Sequence, residues 1–386
     1  MKIGIVGGAL QGMEAVFLSS KAGFETLVID RKGTAPALSL SDSHEVLDVT
    51  LDTDGAKKIL QDCDAVIPAC EDMEALVALD KMMKHSEVPF LFDLNAYEVS
   101  SSKKRSNEIM AGTGVPMPRP WPECGFPIIV KPSSQSGSVG VSAVNNDKEM
   151  DAALKVVSGL GDIPIIQEFV SGKSVSIEVI GTGGSARSFS TTEVVLDSNY
   201  DCKMVLCEPG ILPKEDDELF AGIGKDIAEA VRLNGLMDVE AIYTKSGLKV
   251  LEVDARIPSQ TPAAVWAATD INILEELAFS QAGKSSGAKK RNGCSAYEHY
   301  IIENDNLITC GEKVFGKITR PRFETRFFGA DEAITDYLPG KDVWRATVIT
   351  KGKDAAEVLD KRKTFIHNVM RECDLEEYID RSPRMV

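Results

Sequence analysis

A chain of 386 residues is longer than one ordinary core organises, so two or three domains are expected along it. Hydrophobic residues make up 43%, enough for a sizeable core and too many for a disordered chain, and the net charge of −16 opposes attraction to nucleic acid or to an anionic membrane surface. The eight cysteines include no C-x-x-C pair and only four histidines accompany them, so zinc and redox motifs lack ligands and a reducing cytoplasm is the expected compartment.

The first hundred residues alternate short apolar runs with helical patterns. The strand KIGIV runs into Gly7 and Gly8, and a helix is expected over 10–22. Strands ETLVID and VLDV follow, then a helix over 52–62, strand AVIPA, a helix over 72–85 and strand PFLFD. That rhythm predicts βαβ units and a parallel sheet, and with an N-terminus that opens as a strand no export leader is expected. The alternating prolines of Val115–Pro122 disfavour helix and read as an interdomain linker.

Beyond them, PIIVKP, the loop SSQSGSVG, VSAV, a helix over 147–158, PIIQEFV and SVSIEVIG predict a small α+β module. From Gly183 strands dominate, with one clear helix near 216–232 whose Leu219, Ile223, Ile227 and Val231 recur at every fourth position. The expected domains are therefore 1–114, 115–182 and 183–386, the last holding the catalytic platform. GKSSGAKKRNG at 283–293 reads as a solvated loop, and DRSPRMV as a frayed end.

Several patterns bear on chemistry. GGALQG follows a strand and opens a helix, a place where backbone N–H groups can receive an anion. Gly7, Ala9 and Gly12 make G-x-A-x-x-G, and Asp30 ends the second strand, which keeps a nicotinamide-dependent dehydrogenase open as an alternative beside a purely structural turn. Two GKS triplets, at Gly172 and Gly283, lack the first glycine of a phosphate loop, since Gln167 and Ala278 stand there.

The strongest pattern is GLMDVEAIYTKSGLKVLEVDARIPSQTP, residues 235–262. Strand alternation puts Asp238 and Glu240 on one face and Glu252 and Asp254 on one face, and a turn at Lys245–Gly247 sets Glu240 opposite Glu252. Crowded carboxylates need a cation, and hard oxygen ligands suit Mg²⁺ with a nucleotide's phosphates; a solvated polar face is the plainer reading. Arg256, Ser259, Gln260 and Thr261 follow directly with donors for anionic oxygen. Lys103, and Lys131 at the end of PIIVKP, offer positive charge, each alone also reading as a surface lysine, and Ser134, Ser136, Gly137 and Ser138 form a loop whose N–H groups and hydroxyls can close on phosphate, with a flexible linker as the alternative. Gln167 to Val170, with Glu168 and Phe169 between, offer a hinge suited to an adenine edge, and on sequence alone read simply as a buried strand.

In this order the pieces resemble the ATP-grasp ligases along essentially the whole chain. The resemblance implies an α/β (α+β) architecture: a Rossmann-like N-terminal domain, a small α+β lid and a C-terminal antiparallel-sheet catalytic domain. It implies ATP and Mg²⁺ as cofactors, with Lys103, Lys131, the 134–138 loop and Gln167–Val170 on the nucleotide and Glu240, Glu252 and Asp254 on the metal. More narrowly, GGALQG, FDLNAY, KKRSNE, SSQSGSVG, YDCKMV, GLMDVEAI and DARIPSQTP are similar to the pyrrolysine-biosynthesis ligases. Those enzymes form an amide between 3-methyl-D-ornithine and the ε-amine of L-lysine.

That likeness implies that Leu10, Gln11 and Glu71 hold lysine and that Glu178, Asp238, Arg256, Ser259, Gln260 and Thr261 hold the ornithine. Arg256 and Lys131 are then the catalytic cations. Small amino acids are the implied partners, with neither nucleic acid nor membrane. Another ATP-grasp amino-acid ligase or a carboxylase is the alternative within the fold. Past residue 300 the likeness carries little.

Overall fold

The computed structural model describes residues 1–383 apart from 138, 285, 286, 288 and 289. Ser138 of the expected phosphate loop, part of the 283–293 stretch and the last three residues therefore lie outside the described residues. The chain divides into two compact units: one comprises Met1–Leu94, Val194–Ile211 and the chain from Arg256 on, the other Asn95–Glu193 and Leu212–Ala255.

The first unit opens on a parallel sheet in the order Ser43–Val46, Glu25–Asp30, Lys2–Val6, Ala65–Pro68. The apolar interiors of Lys2–Val6 and Ala65–Pro68 are buried, which is the pattern of strands covered on both faces. The expected strand VLDV is displaced. Its place at the sheet edge is taken by Ser43–Val46, which is largely exposed, while Leu47 and Val49 leave the ladder and pack into the core beside Leu27 and Ile29. PFLFD likewise contributes only a single bridge, Phe90 beside Val66.

Later in the same unit an antiparallel sheet joins Cys202–Cys207, Cys294–Glu303, Trp344–Gly352, Glu332–Thr335 and Arg322–Thr325. Its core holds Tyr300, Phe327, Trp344 and Phe365, the last from helix Ala355–Glu372. Helices Thr261–Thr269 and Ile273–Gln281 also lie here, in a region where strands were expected to dominate. Thr261–Thr269 is buried on nearly every side, so it shows no amphipathic period to read. Among the described residues no helix is long and apolar enough to cross a membrane.

In the second unit, Ser142–Val144, Ile128–Pro132 and Pro164–Glu168 form a three-stranded antiparallel sheet covered by helix Asp147–Gly159. A larger antiparallel group orders Gly247–Asp254, Asn234–Thr244 and Lys173–Thr182. Helix Lys214–Ala230, two residues ahead of its expected span, buries Phe220, Ile223 and Ile227. It comes close to the strands because Gly224 has no side chain: a Cβ there would lie 2.8 Å from Val179. The proline-rich segment is tied on both sides, Pro116 accepting from Val250 N–H at 2.8 Å and Arg119 from Glu168 N–H at 2.8 Å.

Candidate active site

The second unit gathers the predicted phosphate and metal residues around one hairpin. Near its turn, Thr244 pairs with Gly247 and Ala241 with Val250. Continued unchanged, that register would set Glu240 opposite Leu251 and send Glu252 and Asp254 to the other face. A bulge intervenes between Glu240 and Ala241, with Leu251 the extra residue, so Glu240 pairs with Glu252 and Asp238 with Asp254. On the other side of Asn234–Thr244, Glu178 pairs with Asp238 and Ser176 with Glu240. Paired residues share a face, so Glu178, Asp238, Glu240, Glu252 and Asp254 all lie on one side of three strands, with Glu178 and Asp238 buried.

Two lysines answer this charge. Lys103 begins helix Lys103–Thr113, and its Nζ lies 3.0 Å from Glu252 Oε2 while donating to the Gln135 carbonyl at 2.8 Å. Lys131 Nζ lies 3.9 Å from the same Glu252 oxygen and donates to the Leu251 carbonyl at 3.4 Å. The bulged residue thus supplies an acceptor to the second lysine. Both lysines are aligned through one joint, since Ser133, two residues after Lys131, takes the Lys103 N–H on its carbonyl at 2.8 Å and the Lys104 N–H on its hydroxyl at 3.1 Å.

Burial opposes the charge on each lysine. At Lys103 the neighbouring Glu252, Asp254 and Glu240 outweigh burial and hold the pKa above the ordinary lysine range. At Lys131 burial prevails over Glu252, and the charge on Lys103 adds to it, so the pKa is pushed down.

The remaining residues expected on the nucleotide are placed as follows. Ser134 gives both its N–H and its hydroxyl to Asp162 Oδ2, at 3.0 and 2.6 Å. Ser136 and Gly137 continue the loop, Gly137 in the left-handed region at φ +57°. Gln167 is buried, Glu168 is forked by Arg119 with Nη2 to Oε1 at 3.0 Å, and Phe169 N–H reaches the Pro127 carbonyl at 3.1 Å.

Among the described residues no three Asp, Glu, His or Cys side chains close around one point as a metal cage. Mg²⁺ does not require one, because it takes one or two carboxylates and completes its octahedron with phosphate and water. The hard oxygens of Glu240, Glu252 and Asp254 fit it.

The first unit carries a second cluster. Glu71 Oε1 accepts from Gln11 Nε2 at 2.9 Å and lies 3.0 Å from Arg256 Nη2. The Ser259 hydroxyl and the Gln260 amide converge on Glu312 Oε2 at 2.9 and 2.7 Å, and the Cys202 thiol donates to Gln260 Oε1 at 2.8 Å. Gln260 sits at φ +83°, a conformation that non-glycine residues adopt only when their surroundings enforce it. Asp201 accepts the Lys313 N–H at 3.0 Å, and burial raises its pKa. Leu10 packs near Gly316, where a Cβ would come within 3.4 Å of it. Thr261 opens its helix with a buried hydroxyl that has no hydrogen-bond partner among the described residues. The residues expected to hold ornithine are therefore divided, Glu178 and Asp238 in one unit and Arg256 with Ser259–Thr261 in the other.

The family described as the ATP-grasp domain matches residues 100–260. The 3-methyl-D-ornithine–L-lysine ligase of Methanosarcina barkeri is 36% identical over 368 residues, 93% of this chain and 94% of its own length. The chain belongs to this ligase family. Among solved structures, Campylobacter jejuni biotin carboxylase superposes with a TM-score of 0.72 at 16% identity, covering 96% of this chain and 95% of that one. An ADP complex of N5-carboxyaminoimidazole ribonucleotide synthetase gives 0.71 at 17%, covering 96% and 97%. The fold of this ligase-family chain is ATP-grasp, as its motifs led one to expect.

The dehydrogenase alternative loses its anchor. Asp30 Oδ2 accepts the Gly8 N–H at 2.7 Å, so the acid that kept this alternative open closes the turn itself. Gly7 and Gly12 are required by the turn's own packing, for a Cβ on Gly7 would lie 2.4 Å from the Ala69 carbonyl and one on Gly12 2.2 Å from the Gly7 carbonyl. Gly172 of the first GKS triplet has a similar explanation, its Cβ position lying 2.2 Å from the Tyr243 carbonyl.

Glu312 is the residue that sequence reasoning missed. It lies in the short helix Glu312–Phe315, which carries no period, and nothing nearby in sequence marks it. The available signal was YDCKMV, whose Asp201 and Cys202 hold Lys313 and Gln260 on either side of it.

Proposed function

We propose that this chain joins the α-carboxylate of 3-methyl-D-ornithine to the ε-amine of L-lysine, giving 3-methyl-D-ornithyl-N6-L-lysine, ADP and phosphate, as a cytoplasmic step of pyrrolysine biosynthesis. Membership of the ligase family supports the reaction. The observation that carries the chemistry is the facing pair Glu240 and Glu252 with Lys103 and Lys131 beside them.

Lys103 and Lys131 receive the phosphates of ATP, exchanging Glu252 for phosphate oxygen. Mg²⁺, held by Glu240, Glu252 and Asp254, supplies further positive charge there when bound. The ornithine carboxylate attacks the γ-phosphorus in line, the bond to the ADP oxygen breaks, and an acyl phosphate results. Arg256 steadies the charge of that intermediate. The lysine ε-amine, having lost its proton to a carboxylate or water, attacks the acyl carbon and phosphate departs. No residue of the chain is acylated.

Glu71, in contact with Gln11, offers a carboxylate to the cationic lysine substrate. Glu178 and Asp238, with Ser259, Gln260 and Thr261, serve the ornithine, and Glu312 adds a carboxylate for its amines. In functional terms residues 1–114, 115–182 and 183–386 act as amino-acid domain, lid and catalytic platform.

The test is ADP release in a coupled assay with Mg-ATP and D-ornithine, standing in for its 3-methyl homologue, with and without L-lysine, followed by mass analysis. Release that requires both amino acids and yields ornithyl-lysine is the expected outcome. Release with bicarbonate and neither amino acid would instead make the chain a carboxylase.

A further inference from the structure

Helix Thr261–Thr269 begins without a cap of its own. Its N-cap residue, Gln260, lies at φ +83° and ψ −55°, makes no side-chain cap, and has its amide turned onto Glu312. Pro262 has no N–H to satisfy, so Ala263 carries the first-turn N–H most exposed to loss. That N–H is taken at 2.7 Å by Glu14 Oε1, from helix Leu10–Lys21, across 249 residues of sequence. Glu14 is 1% exposed, a placement that a carboxylate reaches only when the oxygens find donors, and the N-terminus of a helix favours an anionic acceptor. Its other oxygen lies 3.4 Å from the Tyr297 hydroxyl.

We propose that Glu14 is a positioning residue for the amino-acid substrates. It takes over the capping of Thr261–Thr269, which leaves Gln260 free to keep its strained conformation and its bond to Glu312. Glu14 also lies one turn beyond Gln11, on the same helix, and Gln11 reaches Arg256 through Glu71. Helix Leu10–Lys21 therefore holds the segment 256–263 at both ends, at Arg256 through Glu71 and at Ala263 through Glu14. This inference rests on the assignment of Ser259–Thr261 to ornithine and of Gln11 to lysine.

Two variants separate the role from a general loss of packing. Glu14→Gln keeps an oxygen for the Ala263 N–H, whereas Glu14→Leu removes it at similar volume. The expected result is that Glu14→Leu raises the KM for D-ornithine about fivefold or more, as loss of a helix cap of ordinary strength implies. The KM for ATP stays at the wild-type value, and Glu14→Gln restores ornithine binding.

Hydrogen exchange of the peptide 256–264, followed by mass spectrometry, should accelerate in Glu14→Leu and not in Glu14→Gln. A folded Glu14→Leu protein with wild-type exchange there, or one whose KM values for all three substrates rise together, would overturn the proposal. Failure of the wild type to require D-ornithine would overturn the functional assignment instead, and the exchange comparison would still decide whether Glu14 orders the turn.

Discussion

Glu240 stands directly across from Glu252 because Leu251 stands outside the ladder. One extra residue brings two acidic pairs onto a single face and presents its carbonyl to Lys131. The two effects are separable. Deleting Leu251 would leave Glu240 opposite Glu252 in an unbulged hairpin but remove the acceptor that steadies Lys131. Such a variant should bind Mn²⁺, followed by electron paramagnetic resonance, as well as the wild type does. Its KM for ATP should rise about tenfold, the usual worth of a hydrogen bond to a charged group. Glu252→Gln should do the reverse, weakening Mn²⁺ binding and abolishing turnover.

Burial lowers the pKa of Lys131, and the sign of the pH effect follows. The charge proposed to receive phosphate is present below the lowered value and is lost as pH rises through it, earlier than for an ordinary lysine at about 10.4. The KM for ATP should therefore climb on the alkaline side at a pH where Lys103, whose pKa is raised, is still charged. Lys131→Arg should carry that limb upward, because guanidinium keeps its proton. The same burial means that the unfolded chain holds this proton more tightly, so Lys131 opposes folding at neutral pH. Lys131→Met should accordingly melt at a higher temperature while releasing no ADP, and a lower melting temperature would contradict the burial argument.

Ser259 and Gln260 both spend a donor on Glu312. Removing that carboxylate in Glu312→Ala should raise the KM for D-ornithine about tenfold, in keeping with two charge-assisted hydrogen bonds lost. The KM for ATP should not move. Steady-state kinetics with each substrate varied in turn distinguishes this from a defect in nucleotide binding.

Much of this was legible in the residues themselves. The parallel N-terminal strands announced themselves by alternation with helices, and the helix at Lys214–Ala230 by Ile223 and Ile227, although Leu219 of the same row is exposed and Val231 falls at the C-cap, the buried face running instead through Phe220. The acidic hairpin was correctly paired from strand parity and a turn, though the turn alone would have misaligned it by one residue. What could not be read is where period and environment part. Ser43–Val46 is an exposed edge that needs no apolar residues, so the apolar Leu47 and Val49 beside it misled. Thr261–Thr269 is buried all round and therefore uniform in pattern. Glu312 acquires its meaning from Ser259 and Gln260, more than fifty residues earlier, a relation no local spacing encodes.

The distance between Glu14 and Ala263 has a consequence for synthesis. During translation the N-terminal strands and helix leave the ribosome long before Ala263 exists, and for those 249 residues the carboxylate has no helix end to cap. A nascent N-terminal segment can close its parallel sheet but must leave Glu14 in water, so that face stays open until the later helix arrives. Such late-closing contacts slow folding, and an N-terminal fragment ending before residue 261 would keep a solvated acidic face where the whole chain has an interior.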